Sequence, residues 1–252
     1  MKDGFVKTAA GTPDIKVADC GYNCARIKAL IDKAHEQGVR VLVLPELCIT
    51  GYTCQDLFFQ QTLLDGALNA LKDITEHSAG LDMLIAVGCP LRFRGELYNC
   101  AVVMKDGKIL GVVPKKFLPN YNEFYEKRHF TAAPEGEYDI ELFGESVPFG
   151  LGLLFECRGT PELVFAAEIC EDLWAAEPPS ISLALGGATL IANLSASNET
   201  IGKDSYRRDL VKGQSARLVC GYIYATAGEG ESSQDLVFGG QNLIAENGTM
   251  LA

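Results

Sequence analysis

Short apolar runs of strand length, set between stretches of helical periodicity, constrain this chain more than any other feature. Val41–Leu44 is a continuous run of β-branched residues and leucine, the pattern of a strand buried on both faces. Val6–Ala10, Met83–Gly88, Asn99–Met104, Ile109–Val113, Leu163–Ala167, Leu190–Leu194, Tyr222–Ala227 and Asn242–Ala245 also read as strands. Between them, Asn23–Gln37 places Ile27, Leu30, Ile31 and Ala34 at helical spacing and stops at Gly38, a residue suited to a helix C-terminus. Gln60–Ser78 is a second helix with Leu63, Leu64, Ala67, Leu71 and Ile74 on one side. Ile181–Leu185 is a short helix, and Asp204 is positioned to cap a helix running to Val219.

Asp106-Gly107 and Asn247-Gly248 are two-residue hairpin signals. Only Thr249–Ala252 follows the second, so its return strand is expected to be short and the domain to be cut at its C-terminal side. Strands joined by hairpins, mixed with strands flanked by helices, predict an α/β fold with mixed sheets rather than a Rossmann order. The nucleotide-binding alternatives lack their motifs. Gly150-Leu151-Gly152 has no third glycine at the right spacing, and no GxxxxGK[ST] occurs.

Composition narrows the partners. Lys plus Arg total 22 against 33 Asp plus Glu, a net charge of −11. Basic residues cluster no further than in pairs such as Lys115-Lys116, which predicts no nucleic acid and no anionic membrane surface as partner. The longest uncharged run, Pro178–Asn198, is interrupted by Gly186-Gly187, Asn193 and several serines, so it reads as buried core rather than a membrane helix. The nine cysteines are odd in number and follow no secretory leader, which predicts reduced thiols and a cytoplasmic location. No metal site is expected: there are three histidines, and Cys20 and Cys24 lack a second ligand pair.

Three of the apolar runs end on a reactive residue. Val41–Leu44 leads through Pro45 to Glu46, Ile109–Val113 through Pro114 to Lys115, and Leu163–Ala167 through Glu168 and Ile169 to Cys170. In open α/β sheets the active crevice lies at the carboxyl ends of strands, where a carboxylate, an ammonium and a thiol could converge. A carboxylate can take the proton of a thiol nucleophile. A lysine favours the thiolate and can donate to a tetrahedral oxyanion. The protonated glutamate can then give its proton to a leaving amine. Taken singly, each has a plainer reading. A glutamate after a strand is ordinarily a solvated loop residue, Lys115 beside Lys116 a charged surface pair, and most buried cysteines inert. Acidic neighbours alone would quiet Cys170, so the reading needs the lysine.

The segments around this trio resemble the nitrilase, or carbon–nitrogen hydrolase, superfamily. They are Leu44-Pro45-Glu46-Leu47, Thr50-Gly51-Tyr52, Asp56-Leu57-Phe58, Val113-Pro114-Lys115, Leu118-Pro119-Asn120-Tyr121, Glu123-Phe124-Tyr125-Glu126, the heptapeptide from Glu168 to Trp174, and Asn193-Leu194-Ser195-Ala196-Ser197. Within that superfamily the chain is most similar to the glutaminase domains of glutamine-dependent NAD⁺ synthetases, over essentially its whole length. The resemblance implies one domain over residues 1–252, a four-layer αββα sandwich, and assembly into homo-oligomers through helices. It implies Glu46 as general base, Lys115 as oxyanion and orienting residue and Cys170 as nucleophile, with the Glu171 N–H completing an oxyanion hole. Glu123 falls where nitrilases carry a second glutamate near the site. Glutamine would be held by Tyr121, Ser197 and Lys203, with Tyr52 and Glu171 as further contacts. These suit an amino acid whose α-ammonium and α-carboxylate call for an acid, a cation and hydroxyl donors. ATP and Mg²⁺ would belong to a synthetase domain with an SGGxDS-type loop, a motif missing from these residues. Two other readings stand beside a glutaminase: a free-standing amidase acting on another small amide or carbamoyl compound, and an inactive domain that docks onto a synthetase.

Overall fold

The computed structural model of the chain describes residues 4–252. The first half contributes β1 (Thr8–Ala10), α1 (Cys20–Glu36), β2 (Val41–Val43), α2 (Gln61–His77), β3 (Leu84–Phe93), β4 (Glu96–Lys105), β5 (Lys108–Pro114), β6 (Glu137–Leu142) and β7 (Glu145–Gly150). The second contributes β8 (Phe155–Glu156), β9 (Val164–Ile169), α3 (Glu171–Trp174), α4 (Pro179–Leu185), β10 (Leu190–Ser195), α5 (Lys203–Leu218), β11 (Gly221–Thr226), β12 (Leu243–Glu246) and β13 (Thr249–Met250). The first set of strands forms one sheet in the order β1-β2-β3-β4-β5-β7-β6, the second another in the order β13-β12-β11-β10-β9-β8. Both are mixed: β1, β2 and β3 run parallel, as do β9, β10 and β11 and the β5–β7 pair, while the other neighbours are antiparallel, most of them joined by hairpins.

The apolar runs are continuous because each sheet is covered on both faces. On β2, Val41 and Val43 join Ala86, Ala101, Val103 and Val113 in an inner layer shared with Phe165, Ala167, Ile169, Ala192 and Ala225 of the other sheet. The alternate residues Leu42 and Leu44 turn outward onto Ile27 and Ile31 of α1 and Leu64 and Leu71 of α2. On the far side, Ala166, Ile191 and Tyr222 meet Leu183 of α4 and Val211 of α5. The layers are therefore helix, sheet, sheet, helix, as the resemblance implies.

Several local expectations are corrected. Helix α1 begins at Cys20, a turn before Asn23, because the Asp19 carboxylate accepts from the Tyr22 N–H at 3.0 Å. This puts Cys20 and Cys24 against α2, with Cys24 Sγ 3.7 Å from the Ala70 carbonyl. Asp204 does not cap α5. The helix starts at Lys203 after Gly202 (φ 84°), and Asp204 sits in its first turn facing Arg208. The β6–β7 hairpin has no counterpart among the expected strands, since it carries acidic residues on an exposed face and turns at Phe143-Gly144. The Asn247-Gly248 turn does form, with both residues at positive φ, and its return strand is the two-residue β13.

One glycine sets how closely β3 can approach the end of β2. Strand β3 passes directly behind Pro45-Glu46-Leu47. A Cβ at Gly88 would lie 2.2 Å from Leu47 N, 2.5 Å from Pro45 O and 2.6 Å from Glu46 C. All three are backbone atoms, which cannot swing aside. Gly88→Ala is expected to cost roughly 1–3 kcal/mol in urea unfolding, as forced overpacking does. Gly21→Ala in α1, where the nearest atom to the new Cβ is 3.8 Å away, should leave the midpoint unchanged or raise it.

Candidate active site

Strands β2, β5 and β9 end at one place, and Glu46, Lys115 and Cys170 meet there. Glu46 and Lys115 are buried, with Lys115 Nζ donating to Glu46 Oε1 at 2.6 Å. The adjacent Lys116 has a half-buried side chain. Of the double lysine, the residue directly after the Val-Pro strand end is the one that turns inward.

Lys115 has a second carboxylate partner. Its Nζ lies 2.7 and 2.9 Å from the two oxygens of Glu126, a residue whose sequence setting assigns it no role. The second glutamate at the lysine is thus Glu126 and not Glu123. Glu123 instead accepts from Asn198 Nδ2 at 2.6 Å in the cavity wall. Both lie on the loop after β5, and the turn around Arg128 carries Glu126 inward, where its N–H donates to Pro119 O. Tyr52 is also reassigned. Its hydroxyl donates to Glu126 Oε1 at 2.8 Å and it does not line the cavity at Cys170.

Burial pulls the Lys115 ammonium down, but Glu126 and Glu46 outweigh it and hold it well above the ordinary lysine range. Burial pushes the Glu126 carboxyl up to about 7 against the pull of Lys115. Burial, and then the charge of Glu46, push the Cys170 thiol up to about 12, with Lys115 acting the other way. Cys170 therefore rests as a thiol, and its ionisation would need a base. Glu46 Oε2 is buried and without a hydrogen-bond partner, so it has a lone pair free for that proton.

Cys170 occupies the sharp turn from β9 into α3 at φ 44°, ψ −101°, a conformation costly for a residue with a Cβ. Surrounding bonds enforce it. The Cys170 N–H donates to Leu194 O at 3.0 Å and to Asn193 Oδ1 at 3.1 Å. Asp172, buried in the first turn of α3, accepts from Ile169 N at 2.9 Å through one oxygen, and from Lys116 N at 3.1 Å and Phe117 N at 2.8 Å through the other. It ties the nucleophile turn to the backbone just past Lys115. The Glu46 N–H donates to Ser195 O at 3.2 Å, joining the two sheets at the same end.

Cys170 opens into a cavity of about 430 Å³ whose walls include Tyr121, Glu171, Ser197, Asn198 and Lys203. The Tyr121 hydroxyl lies 3.0 Å from both Glu171 oxygens. Lys203 donates to Asn198 Oδ1 and stands 5.3 Å from the Trp174 ring centre. Burial lowers the Lys203 ammonium and raises the Glu171 carboxyl. An acid, a cation and two hydroxyls (Glu171, Lys203, Tyr121 and Ser197) thus share the cavity with the thiol, and Tyr52 does not line it. All nine cysteines are free thiols, and all but Cys157 are buried. No helix among the described residues is long and apolar enough to cross a membrane.

The sequence pattern of carbon-nitrogen hydrolases matches residues 7–252. The chain belongs to the carbon-nitrogen hydrolase family. Within it, the chain is 44% identical over 249 residues to a glutamine-dependent NAD(+) synthetase of Mycobacterium bovis, covering 99% of this chain and 37% of that protein. It is 32% identical over 241 residues to the human protein of the same name, covering 91% and 33%. A crystal structure of a glutamine-dependent NAD(+) synthetase from Cytophaga hutchinsonii superimposes with a TM-score of 0.88 at 32% identity, over 98% of this chain and 40% of that one. The chain therefore spans well under half the length of these relatives. A carbon-nitrogen hydrolase of another kind, an amidase of Nesterenkonia, shares the fold at 18% identity and a TM-score of 0.76.

Lys115→Met would leave two buried carboxylates facing each other. Removing one partner of a buried ion pair costs about 3–5 kcal/mol, and that loss should be seen in urea unfolding at pH 8. A carboxyl whose folded pKa is raised contributes stability at low pH and loses it as pH rises through that value. Without the lysine, Glu126 rises further from its present value of about 7. The penalty relative to wild type should accordingly shrink at pH 5, and a deficit equal at both values would contradict the geometry.

Proposed function

We propose that this chain is a glutaminase unit: it hydrolyses glutamine to glutamate and ammonia through a γ-glutamyl thioester on Cys170. The ammonia would serve the amidation of deamido-NAD⁺ in a synthetase region of the kind implied by the names of the longer relatives, where ATP and Mg²⁺ would act. The observation that carries this reading is the thiol at the floor of a cavity of about 430 Å³, backed by a buried Glu–Lys–Glu cluster and walled by groups complementary to an amino acid.

Glu46 Oε2 takes the proton from the Cys170 thiol as Sγ attacks the amide carbon of the substrate side chain. Lys115 Nζ and the Glu171 N–H receive the developing oxyanion, the latter favoured by its place at the start of α3. Collapse of the tetrahedral intermediate breaks the C–N bond, and the proton held by Glu46 leaves with the nitrogen as ammonia. Glu46 then deprotonates a water that attacks the thioester, and collapse returns the proton to sulfur with release of glutamate. Glu126 keeps Lys115 charged through the cycle. At the other end of the substrate, Glu171, oriented by Tyr121, pairs with the α-ammonium, while Lys203 and Ser197 receive the α-carboxylate. The free thiols support a reducing, cytoplasmic setting.

The test is ammonia release from glutamine by this chain, with and without a synthetase partner. Cys170→Ala should abolish turnover and labelling by a glutamine-directed electrophile. Lys203→Ala should raise KM for glutamine by about tenfold or more, the order expected for losing a charge-assisted hydrogen bond to the carboxylate. If Lys203→Ala left kcat/KM unchanged, another small amide would be the better substrate. An intact fold that never turns over, with or without the partner, would favour the docking-domain reading.

A further inference from the structure

Asn99 lies in β4, fully buried, and two of its polar groups serve two different members of the catalytic cluster. Its backbone carbonyl accepts from the Lys115 N–H at 2.8 Å. Its Nδ2 donates to Glu46 Oε1 at 2.6 Å. The amide orientation is forced, because the flipped form would set a carbonyl oxygen against a carboxylate oxygen. Glu46 Oε1 therefore carries two donors, Lys115 Nζ at 2.6 Å and Asn99 Nδ2, while Oε2 carries none.

Lys115 cannot make this division alone. Its ammonium is shared with both oxygens of Glu126, so it neutralises the pocket without fixing how the Glu46 carboxylate is turned. Packing does not ask for asparagine here either: Asn99 Oδ1 is buried with no partner, a cost that an apolar residue of the same size would avoid.

We propose that Asn99 is a positioning residue which pins Glu46 Oε1 and so reserves Oε2 for the Cys170 proton. The proposal rests on the reading of Glu46 as general base. Two consequences distinguish it from a packing role. Loss of the Asn99 donor removes a hydrogen bond that Glu46 Oε1 accepts, so the pH profile of the cluster should change, and a carboxylate free to rotate presents its basic oxygen to the thiol less often. The groups facing Glu46 are Lys115 from β5, Glu126 and Tyr52 from the loops after β5 and β2, Cys170 from the end of β9 and, farther off, Glu171 and Glu231. All of them remain in the variant, so a shifted profile would report the missing amide.

Asn99→Leu, with Asn99→Asp beside it, should be compared with wild type and Glu46→Gln in the whole chain, folding being checked by circular dichroism and thermal unfolding. For Asn99→Leu, kcat with glutamine should fall roughly 10- to 100-fold, a share of the ~10²–10⁴ carried by a positioned base. KM should stay within about twofold, because Asn99 does not line the cavity. The pH profile of kcat/KM should differ from that of wild type. The pH dependence of Cys170 alkylation by iodoacetamide, read by peptide mass spectrometry, should change in the same sense without any glutamine present. Asn99→Asp should be worse than Asn99→Leu, since it adds an acid against Glu46. A folded Asn99→Leu with wild-type kcat and pH profile, while Glu46→Gln is dead, would overturn the proposal. If Glu46→Gln itself left alkylation and turnover unchanged, the base assignment would fail first and the proposal with it.

Discussion

A lysine ammonium sealed inside the protein between two carboxylates is the interaction on which the rest of this structure depends. Taking one such charge out of water is expensive, and only well-placed opposite charges offset it. Lys115 finds them in Glu46 and Glu126, which arrive from different segments of chain. Each carboxylate is buried only because the lysine is there. The arrangement therefore requires the ends of β2 and β5 and the loop after β5 to be in register together. It gives the strand ends a shared reason to meet that hydrophobic packing alone does not supply. The same cluster acts on the chemistry, since after burial it is the charge of Glu46, opposed by Lys115, that bears on whether the Cys170 thiol is protonated.

The candidate trio of Glu46, Lys115 and Cys170 is legible in the sequence because it is written at strand ends. A buried strand announces itself by a continuous apolar run, and before Glu46 and Lys115 a proline marks where it stops, while Cys170 follows its run through Glu168 and Ile169. Nothing comparable marks Glu126 or Glu123. Both are acids on one aromatic-rich loop, and which turns inward depends on a tertiary contact, the Lys115 ammonium, that no local pattern encodes. Tyr52 stands beside the charged cluster, where its hydroxyl donates to Glu126. Asn99 is hidden for a different reason: a single polar residue inside a ten-residue strand looks like noise in the apolar pattern until its partner is known. The β6–β7 hairpin escapes a sequence reading because edge strands with an exposed acidic face have weak periodicity, and Phe143 is not a residue that signals a turn.

Polar groups with no role in touching substrate carry much of the positioning. Asp172 accepts N–H groups from both the β9 end and the segment past Lys115, and burial raises its carboxyl to about 8. Glu231, reaching in from the loop before β12, accepts from Tyr52 N, Thr53 N and Thr53 Oγ1 and so fixes the chain just downstream of Glu46. Both act on backbone and not on the reacting atoms. The strained φ of Cys170 is tolerable in this setting because the turn that contains it is bonded on either side.

Chemistry and recognition are built from different materials. On the proposed function, the reacting groups sit on strand ends in the sealed interior, where packing and paired charges hold them. The groups around the cavity mouth come from loops and the start of α5, with Tyr121 half exposed and Ile201 fully so. A site divided in this way can exchange its recognition loops without disturbing the thiol and its base.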